Sequence, residues 1–306
     1  MIGKTAENAY YCGMRTESIT SAQNPKIKNL LLLQEKSKAR REQGLFVVEG
    51  RRELEHCLAA GFCPRTVFVC PEIAGQAGND VLDAGNDVLD AGDDGLHAGD
   101  GGLHAGDDAR HARPDRASVI EIPADLYRKV AYRESTEGII AEVEYKELTL
   151  KDLNLPENPL IVVLESVEKP GNLGAVLRSA DAAGADAVIF CDPLTDLYNP
   201  NLIRASIGAV FTVPCVAASS ARVIPWLQER GIRILTAQLQ DSSLYYDVDM
   251  RRGTALVMGT ESTGLTQEWR QAASAHIRIP MLGRLDSLNV SVSAAILLFE
   301  AVRQRQ

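Results

Sequence analysis

Three short polar segments in the second half of the sequence carry residues that can bind and align a substrate. They are residues 172–178 (NLGAVLR), 259–265 (GTESTGL) and 279–292 (IPMLGRLDSLNVSV). Glycine-rich backbone lets a ligand approach closely, and asparagine, serine and glutamate side chains can orient it. None of the segments contains histidine, the usual proton acceptor. The segments therefore offer groups that can bind and orient a ligand but lack the usual proton acceptor.

The position of the segments along the chain favours a common binding site. Each follows an apolar run that predicts a β-strand, and the first and third lead directly into a helical pattern. Ligands of open α/β sheets bind at the carboxyl ends of the strands. Familiar nucleotide motifs are absent, because the sequence has no G-x-G-x-x-G after a first strand and no Gly-Lys-Ser/Thr after Gly171 and Gly174.

Each polar residue in these segments also has an ordinary structural interpretation. Arg178 could be a surface charge on a helix, Glu261 an exposed side chain in a turn, and Ser287 or Asn289 a helix N-cap. Four small polar residues lie within residues 287–293, however, which exceeds what one cap requires. We expect Asn172 to precede its helix and Arg178 to lie within it, so that the two side chains can point together.

The elements that must position these residues alternate from residue 160 onward, which predicts a mostly parallel sheet with helices on both faces. The predicted strands are residues 160–165, 187–191, 213–216, 232–237, 255–258 and 277–280. The predicted helices are residues 173–183, 199–208, 220–230, 266–273 and 289–304. Two of them have clear apolar faces, formed by Leu173, Val176, Leu177 and Ala180, and by Val290, Ala294, Leu297, Leu298 and Ala301.

Residues 18–145 predict a smaller α/β domain. Its expected helices are residues 25–41, 51–60 and 124–131, and its expected strands are residues 45–49, 65–70, 118–122 and 138–145. The first helix combines an apolar side, formed by Ile27, Leu30 and Leu31, with the basic residues Lys26, Lys28, Lys36, Lys38, Arg40 and Arg41. We expect residues 1–17 to form a flexible extension and residues 146–158 a linker, so that the second domain spans residues 159–306.

The formal net charge of −9 is concentrated in one stretch of the chain. Residues 77–108 contain nine Asp and no Lys, Arg or Glu, whereas residues 15–66 contain ten Lys and Arg against six Glu. The total charge therefore says little about the sign of a binding face.

The acidic stretch is a degenerate heptad repeat, AGNDVLD-AGNDVLD-AGDDGLH-AGDGGLH-AGDDARH. It lacks the apolar seam of a coiled coil, and its repeat length differs from that of calcium-binding β-rolls. His97, His104 and His111 recur at the same position and could bind a metal weakly. The composition favours a low-complexity loop, residues 73–116, inserted into the first domain, and we predict no metal site.

Cysteine usage and hydropathy indicate a cytoplasmic protein. The six cysteines form no C-x-x-C pair and no disulfide framework, which is typical of reduced thiols. No apolar run approaches the ~18 residues of a membrane span, and the N-terminus lacks a signal-peptide pattern.

In this order and spacing, the three polar segments resemble the signature motifs of the SpoU/TrmH family of RNA ribose 2'-O-methyltransferases, in the SPOUT superfamily. The resemblance is dense over residues 160–304 and looser over residues 18–145. In the looser part, residues 19–28 (ITSAQNPKIK) and 46–51 (FVVEGR) are similar to the family's RNA-binding module.

The resemblance implies the roles of individual residues. It assigns the catalytic site to Asn172, Arg178, Glu261, Ser287 and Asn289. It assigns S-adenosylmethionine contacts to Gly259, Ile279 and Leu288, and on a less specific match to Thr236. A guanidinium remains protonated in proteins, so we interpret Arg178 as a clamp on an RNA phosphate that also stabilises developing alkoxide. The identity of the proton acceptor stays open.

The resemblance further implies a trefoil-knotted C-terminal domain that forms a homodimer and methylates RNA, with ribosomal RNA favoured over transfer RNA. A transfer RNA ribose methyltransferase remains an alternative. Another is a non-catalytic RNA-binding or assembly factor, but the presence of all five catalytic-site residues argues against it. An unrelated nucleotide-binding α/β protein would need a phosphate loop that the sequence lacks.

Overall fold

The computed structural model describes residues 16–75, 117–132, 137–285 and 287–306. The chain divides into two compact units, residues 1–145 and residues 146–306, and each contains its own β-sheet. Most of the predicted N-terminal extension and of the predicted insertion, including its three histidines, lies outside the described residues. Among the described helices, none has both the length and the apolar character needed to cross a membrane.

The first unit is a five-stranded sheet with helices. Its strands are β1 (Thr16–Ser18), β2 (Leu45–Glu49), β3 (Pro64–Val69), β4 (Ser118–Glu121) and β5 (Ile139–Glu144), in the order β1-β4-β3-β5-β2. Strand β5 runs antiparallel to β2 and β3, and the other pairs are parallel. The helices are α1 (Pro25–Glu35), α2 (Ser37–Gln43), α3 (Arg51–Ala59), α4 (Pro71–Ala74) and α5 (Ala124–Val130).

The single helix predicted for residues 25–41 is wrong, because the chain breaks at Lys36 into α1 and α2. The break lets Arg40 turn back onto the end of α1, where its Nη1 donates to the carbonyl oxygens of Leu33 (2.6 Å) and Gln34 (3.1 Å). Arg40 is only 1% exposed. It therefore caps backbone carbonyls that α1 leaves unpaired, and it does not belong to the basic surface expected for this helix.

The first residues of the predicted insertion, 73–75, belong to the folded first unit. Ile73 packs against the core of the first unit, and Ala74 in α4 is buried. A Cβ added at Gly138 would lie 2.5 Å from the backbone nitrogen of Ala74, so the chain at residue 138 closes tightly on this helix. Residues 73–75 are thus part of the folded unit.

The second unit is a seven-stranded sheet in which all neighbouring strands are parallel. Its strands are β6 (Leu160–Glu165), β7 (Ala187–Cys191), β8 (Cys215–Ala218), β9 (Arg233–Ala237), β10 (Ser243–Leu244), β11 (Thr254–Met258) and β12 (Ala275–Arg278), in the order β10-β12-β9-β11-β6-β7-β8. The helices are α6 (Pro170–Ala182), α7 (Pro200–Ser206), α8 (Ala209–Thr212), α9 (Ser220–Glu229), α10 (Gln267–Ala272) and α11 (Val290–Arg305).

Burial confirms the predicted α/β architecture of this unit. Every residue of β6, β7 and β11 is buried, as expected for strands covered on both faces. The apolar faces predicted for α6 and α11 are buried too. The predicted helix 199–208 ends earlier, at Ser206, because Ile207 and Gly208 adopt left-handed backbone angles (φ 56° and 83°) before α8 begins.

Residues 146–158, predicted to be a linker, pack onto the second unit. Leu150 is 6% exposed and belongs to the unit's core, and Leu148 forms a parallel bridge with Val216. Leu153 and Leu155 contact the same core. The leucines of this segment bury apolar surface against the core of the second unit, so the segment belongs to that unit.

Candidate functional site

The first part of the site is the amino-terminal turn of α6. Pro170 occupies the first helical position, a place that proline favours because its fixed φ suits the helix and no amide hydrogen is needed there. The helix therefore starts three residues earlier than predicted, and Asn172 lies inside its first turn. The expectation that Asn172 precedes the helix is wrong.

The second part is the turn after β11. Gly259 has no room for a side chain, because an added Cβ would lie 2.3 Å from the carbonyl oxygen of Gly264. Gly264 has a φ of 67°, a left-handed angle that glycine adopts without strain. The Gly264 amide donates to the Thr260 carbonyl at 3.0 Å. These constraints hold Glu261 at the tip of a closed turn.

The third part is the start of α11. Asn289 is the N-cap, and its Oδ1 accepts hydrogen bonds from the Ser291 amide (2.9 Å) and the Ser291 hydroxyl (2.6 Å). The capping role that composition suggests for an asparagine here is therefore real. This cap uses only Oδ1 of the carboxamide, so Nδ2 can donate to other groups.

Hydrogen bonds join these three parts into one cluster. Oε1 of Glu261 accepts from Nδ2 of Asn172 (3.1 Å) and from Nδ2 of Asn289 (2.8 Å). Nδ2 of Asn289 also lies 3.1 Å from Oδ1 of Asn172. The other oxygen, Oε2, is 3.2 Å from Nζ of Lys169. Three of the five residues predicted for the catalytic site thus come together in the structure.

The surroundings of Glu261 favour its ionised form. The hydrogen bond from Lys169 is the largest influence that lowers the pKa of Glu261, and the Asn172 amide and the Val290 backbone N–H lower this pKa further. The Val290 amide belongs to the first turn of α11, where the helix dipole also favours a negative charge. Glu261 is therefore a carboxylate at neutral pH, with acceptor capacity only.

Arg178 lies apart from this cluster. It is six residues after Asn172 on α6, which places it roughly 240° around the helix axis and about 9 Å along it. The side chain is exposed, and it has no hydrogen bond or ion pair with any residue in the described part of the chain. Within one copy of the chain, the structure does not bring Arg178 and Asn172 together as expected.

A cavity of about 360 Å³ opens beside Glu261. It lies at the carboxyl ends of β9, β11 and β12, which are neighbours in the sheet, as expected for an open α/β fold. Three of the four residues predicted to contact a cofactor line it: Gly259, Ile279 and Leu288. Ser287, predicted for the catalytic site, is exposed and lines it as well.

Thr236 is the exception among the predicted cofactor contacts. It is not among the described residues that line the cavity; its buried hydroxyl lies 2.6 Å from Nδ1 of His276. Successive side chains of a strand point to opposite faces of the sheet, and that of Thr236 contacts its paired residue on β12, His276. The residues that follow, 237–240, line the cavity instead.

Sequence reasoning missed Lys169 and residues 237–240. Lys169 could have been found, because a proline at position 170 marks the first helical residue and so places Lys169 and Asn172 in one turn. Residues 237–240 carry no comparable signal. They are found only through the strand order, which places β9 between β11 and β12.

Comparison with protein families gives two matches. Residues 159–299 match the family described as SpoU rRNA Methylase, and residues 24–98 match the MRM3-like substrate binding domain. Among curated proteins, the chain is 38% identical over 198 residues to the 23S rRNA (guanosine-2'-O-)-methyltransferase RlmB of Ralstonia nicotianae, covering 62% of this chain and 80% of that protein. It is 43% identical over 176 residues to RlmB of Salmonella typhi, covering 55% and 72%.

Solved structures are similar over nearly the whole chain. A crystal structure of an RNA 2'-O ribose methyltransferase has a TM-score of 0.74 and 36% identity, covering 94% of this chain and 99% of that one. An AdoMet-bound rRNA methyltransferase from Sinorhizobium meliloti has a TM-score of 0.78 and 28% identity, covering 94% and 98%.

Proposed function

The chain belongs to the SpoU family of RNA methyltransferases, and we propose that it transfers a methyl group from S-adenosylmethionine to a ribose 2'-hydroxyl of 23S rRNA. The observation that carries this proposal is the Asn172–Glu261–Asn289 cluster, whose carboxylate lines the cavity at the strand ends. The relatives named above act on 23S rRNA, which favours ribosomal over transfer RNA as the substrate.

The residues of the cavity fit S-adenosylmethionine. The volume of the cavity falls within the range of small-molecule sites. Ile279, Leu288 and Leu297 line the cavity with apolar surface on which an adenine ring can pack. At Gly259, which has no side chain, the backbone of the turn is open to a ligand. When bound, the cofactor supplies an electrophilic methyl group on a sulfonium. We propose that residues 237–240 contact it in place of the Thr236 side chain.

The cluster can align the acceptor hydroxyl. Its two carboxamides are held by Glu261, and Asn289 is also fixed to the start of α11, so both are set in orientation before RNA arrives. Methyl transfer to a hydroxyl is an in-line displacement, and its rate depends strongly on such positioning. We propose that Asn172, Asn289 and Ser287 orient the ribose and that Glu261 keeps the two carboxamides in place.

We further propose that the chain acts as a homodimer through its second unit, which we propose contains a trefoil knot. The exposed position of Arg178 supports the dimer, because Arg178 is directed away from the cluster of its own chain. In a dimer, Arg178 of one copy can clamp the RNA phosphate at the site of the other and stabilise developing alkoxide.

The first unit is proposed to bind RNA. Its match to a substrate binding domain and the exposed Lys28, Lys38 and Arg41 near α1 and α2 support this role. We place the protein in the cytoplasm, which agrees with the five free cysteines among the described residues.

The test is methyl transfer from labelled S-adenosylmethionine to 23S rRNA from cells that lack the gene, followed by mapping of the modified ribose. Glu261→Gln should lower the rate on the order of 100-fold, because the carboxamides lose their charged acceptor and the hydroxyl loses alignment. Glu268→Gln is the matched control, since Glu268 is exposed in the same unit and does not line the cavity. Failure of the wild-type protein to methylate any 23S rRNA ribose would contradict the proposal.

A further inference from the structure

Two arginines, Arg270 and Arg278, line the cavity, and the proposed mechanism uses neither. Glu261 is the single acidic residue among the described lining residues, and Lys169 already pairs with it. Neither arginine forms an ion pair within the described residues. Among the described residues, no carboxylate therefore balances these two charges, so the cavity can accept a negatively charged group from a ligand.

Arg270 is fixed against the turn that carries Glu261. Its Nε donates to the Leu265 carbonyl at 3.1 Å, and its Nη2 lies 3.7 Å from the point where a Cβ on Gly264 would be. The side chain is half-buried, and its four other N–H groups have no hydrogen-bond partner in the described part of the chain. A guanidinium that is oriented by one bond and keeps its fork of donors is suited to a planar carboxylate.

Arg278 is placed differently. It is the last residue of β12, beside Leu244 of the short edge strand β10, and its Nη1 lies 3.4 Å from the Ser242 hydroxyl. Its contact is therefore with residues at the edge of the sheet, away from the turn 259–265.

We propose, as an inference that rests on the proposed function, that Arg270 binds the carboxylate of the methionine part of S-adenosylmethionine. The sulfonium must lie near the Asn172–Glu261–Asn289 cluster for its methyl group to reach the ribose. The carboxylate is joined to the sulfur by a short alkyl chain, so it must bind close to the same turn. Arg270 is the arginine fixed to that turn, and it can form two parallel hydrogen bonds with a carboxylate.

Calorimetric titration of the full chain tests this assignment with two ligands. S-adenosylmethionine carries the carboxylate, whereas 5'-methylthioadenosine lacks the amino-acid part. Arg270→Gln should weaken S-adenosylmethionine binding on the order of 10- to 100-fold, because a charge-assisted hydrogen bond pair is lost. The affinity for 5'-methylthioadenosine should change by no more than about twofold. Arg278→Gln, the matched control from the same cavity, should leave the ratio of the two affinities unchanged.

Two results would overturn the assignment. In the first, Arg270→Gln loses affinity for both ligands equally. In the second, Arg278→Gln loses affinity for S-adenosylmethionine but not for 5'-methylthioadenosine. The wild-type protein provides a measurement that does not depend on the variant's folding. There, the carboxamide analogue of S-adenosylhomocysteine should bind at least about tenfold more weakly than S-adenosylhomocysteine itself, and equal binding would also overturn the assignment. If the wild-type protein binds none of these ligands, the proposed function itself fails. If it binds them without the selective effect of Arg270→Gln, only the assignment of Arg270 fails.

Discussion

Glu261 connects parts of the chain that are far apart in sequence. It accepts hydrogen bonds from Lys169 and Asn172 at the start of α6 and from Asn289 before α11. One carboxylate has acceptor sites for several donors, so a single residue can set the orientation of two carboxamides. The bond from Lys169, and to a smaller extent that from Asn172, lowers the pKa of Glu261, and protonation of this carboxylate would remove acceptor capacity from the whole cluster.

Replacement of Lys169 should change the pH dependence of methyl transfer. Lys169→Met removes the largest influence that lowers the pKa of Glu261, so this pKa should move back up. A lowered carboxyl pKa stabilises the folded cluster at neutral pH, and this stabilisation is lost as the pH falls through the lowered value. The acid limb of the pH–rate profile should therefore shift to higher pH. The rate at neutral pH should fall only a few-fold, since exposed ion pairs are screened.

Two control variants separate the charge of Lys169 from its other contributions. Lys169→Arg keeps the charge and should leave the acid limb near its wild-type position. Lys151→Met removes an exposed lysine of the second unit that does not line the cavity, and its pH–rate profile should match that of the wild type. An unshifted acid limb in Lys169→Met would show that Lys169 does not control the ionisation of Glu261.

At the level of elements, apolar periodicity predicted most of the fold. The faces of α6 and α11 and the buried strands β6, β7 and β11 follow directly from where apolar residues recur. Periodicity could not predict the break at Lys36 or the left-handed turn at Ile207, because an apolar repeat indicates the buried face of a helix and not the backbone angles at which the helix ends. The same limit applies to the site. Sequence identified Asn172, Glu261 and Asn289, whereas the Lys169 contact and the orientation of Arg178 depend on where α6 begins.

The segment 146–158 provides a test of how far the second unit extends. Leu150→Ala should destabilise that unit by about 2–4 kcal/mol, the usual cost of removing a buried leucine side chain. Leu194→Ala is the control, because Leu194 is 67% exposed and its removal leaves no cavity. Scanning calorimetry of the full chain would measure both. Equal melting temperatures for Leu150→Ala and the wild type would mean that this segment is a linker after all.

At the level of the whole molecule, the two units have separate cores, and the cavity beside Glu261 is lined by residues of the second unit. All the residues that line it lie between 237 and 297. The heptad repeat belongs to the sequence of the first unit and carries nine of the 41 Asp and Glu residues of the chain, with no Lys, Arg or Glu between residues 77 and 108. Cofactor binding and the acidic repeat should therefore be separable.

Deletion of residues 77–111 should leave S-adenosylmethionine affinity unchanged and make RNA binding equal or slightly tighter at low salt. The deletion removes nine Asp and one Arg, and the repulsion between these carboxylates and RNA phosphates is screened beyond ~8 Å at physiological ionic strength. RNA titrations at two salt concentrations, together with a melting curve, would measure these effects. Weaker RNA binding or a markedly lower melting temperature after deletion would show that the repeat contributes to binding or stability.

The order of strands in the second sheet has a consequence for synthesis on the ribosome. Strand β6 lies between β7 and β11, and its register pairs Leu160 with Thr254, about 94 residues later in the chain. At typical translation rates, the apolar β6 waits on the order of 5–20 s before this partner is made. During that interval one edge of a mostly apolar strand lacks its native neighbour, a situation that promotes aggregation. A nascent chain of this protein is therefore expected to need chaperone protection until β11 has emerged.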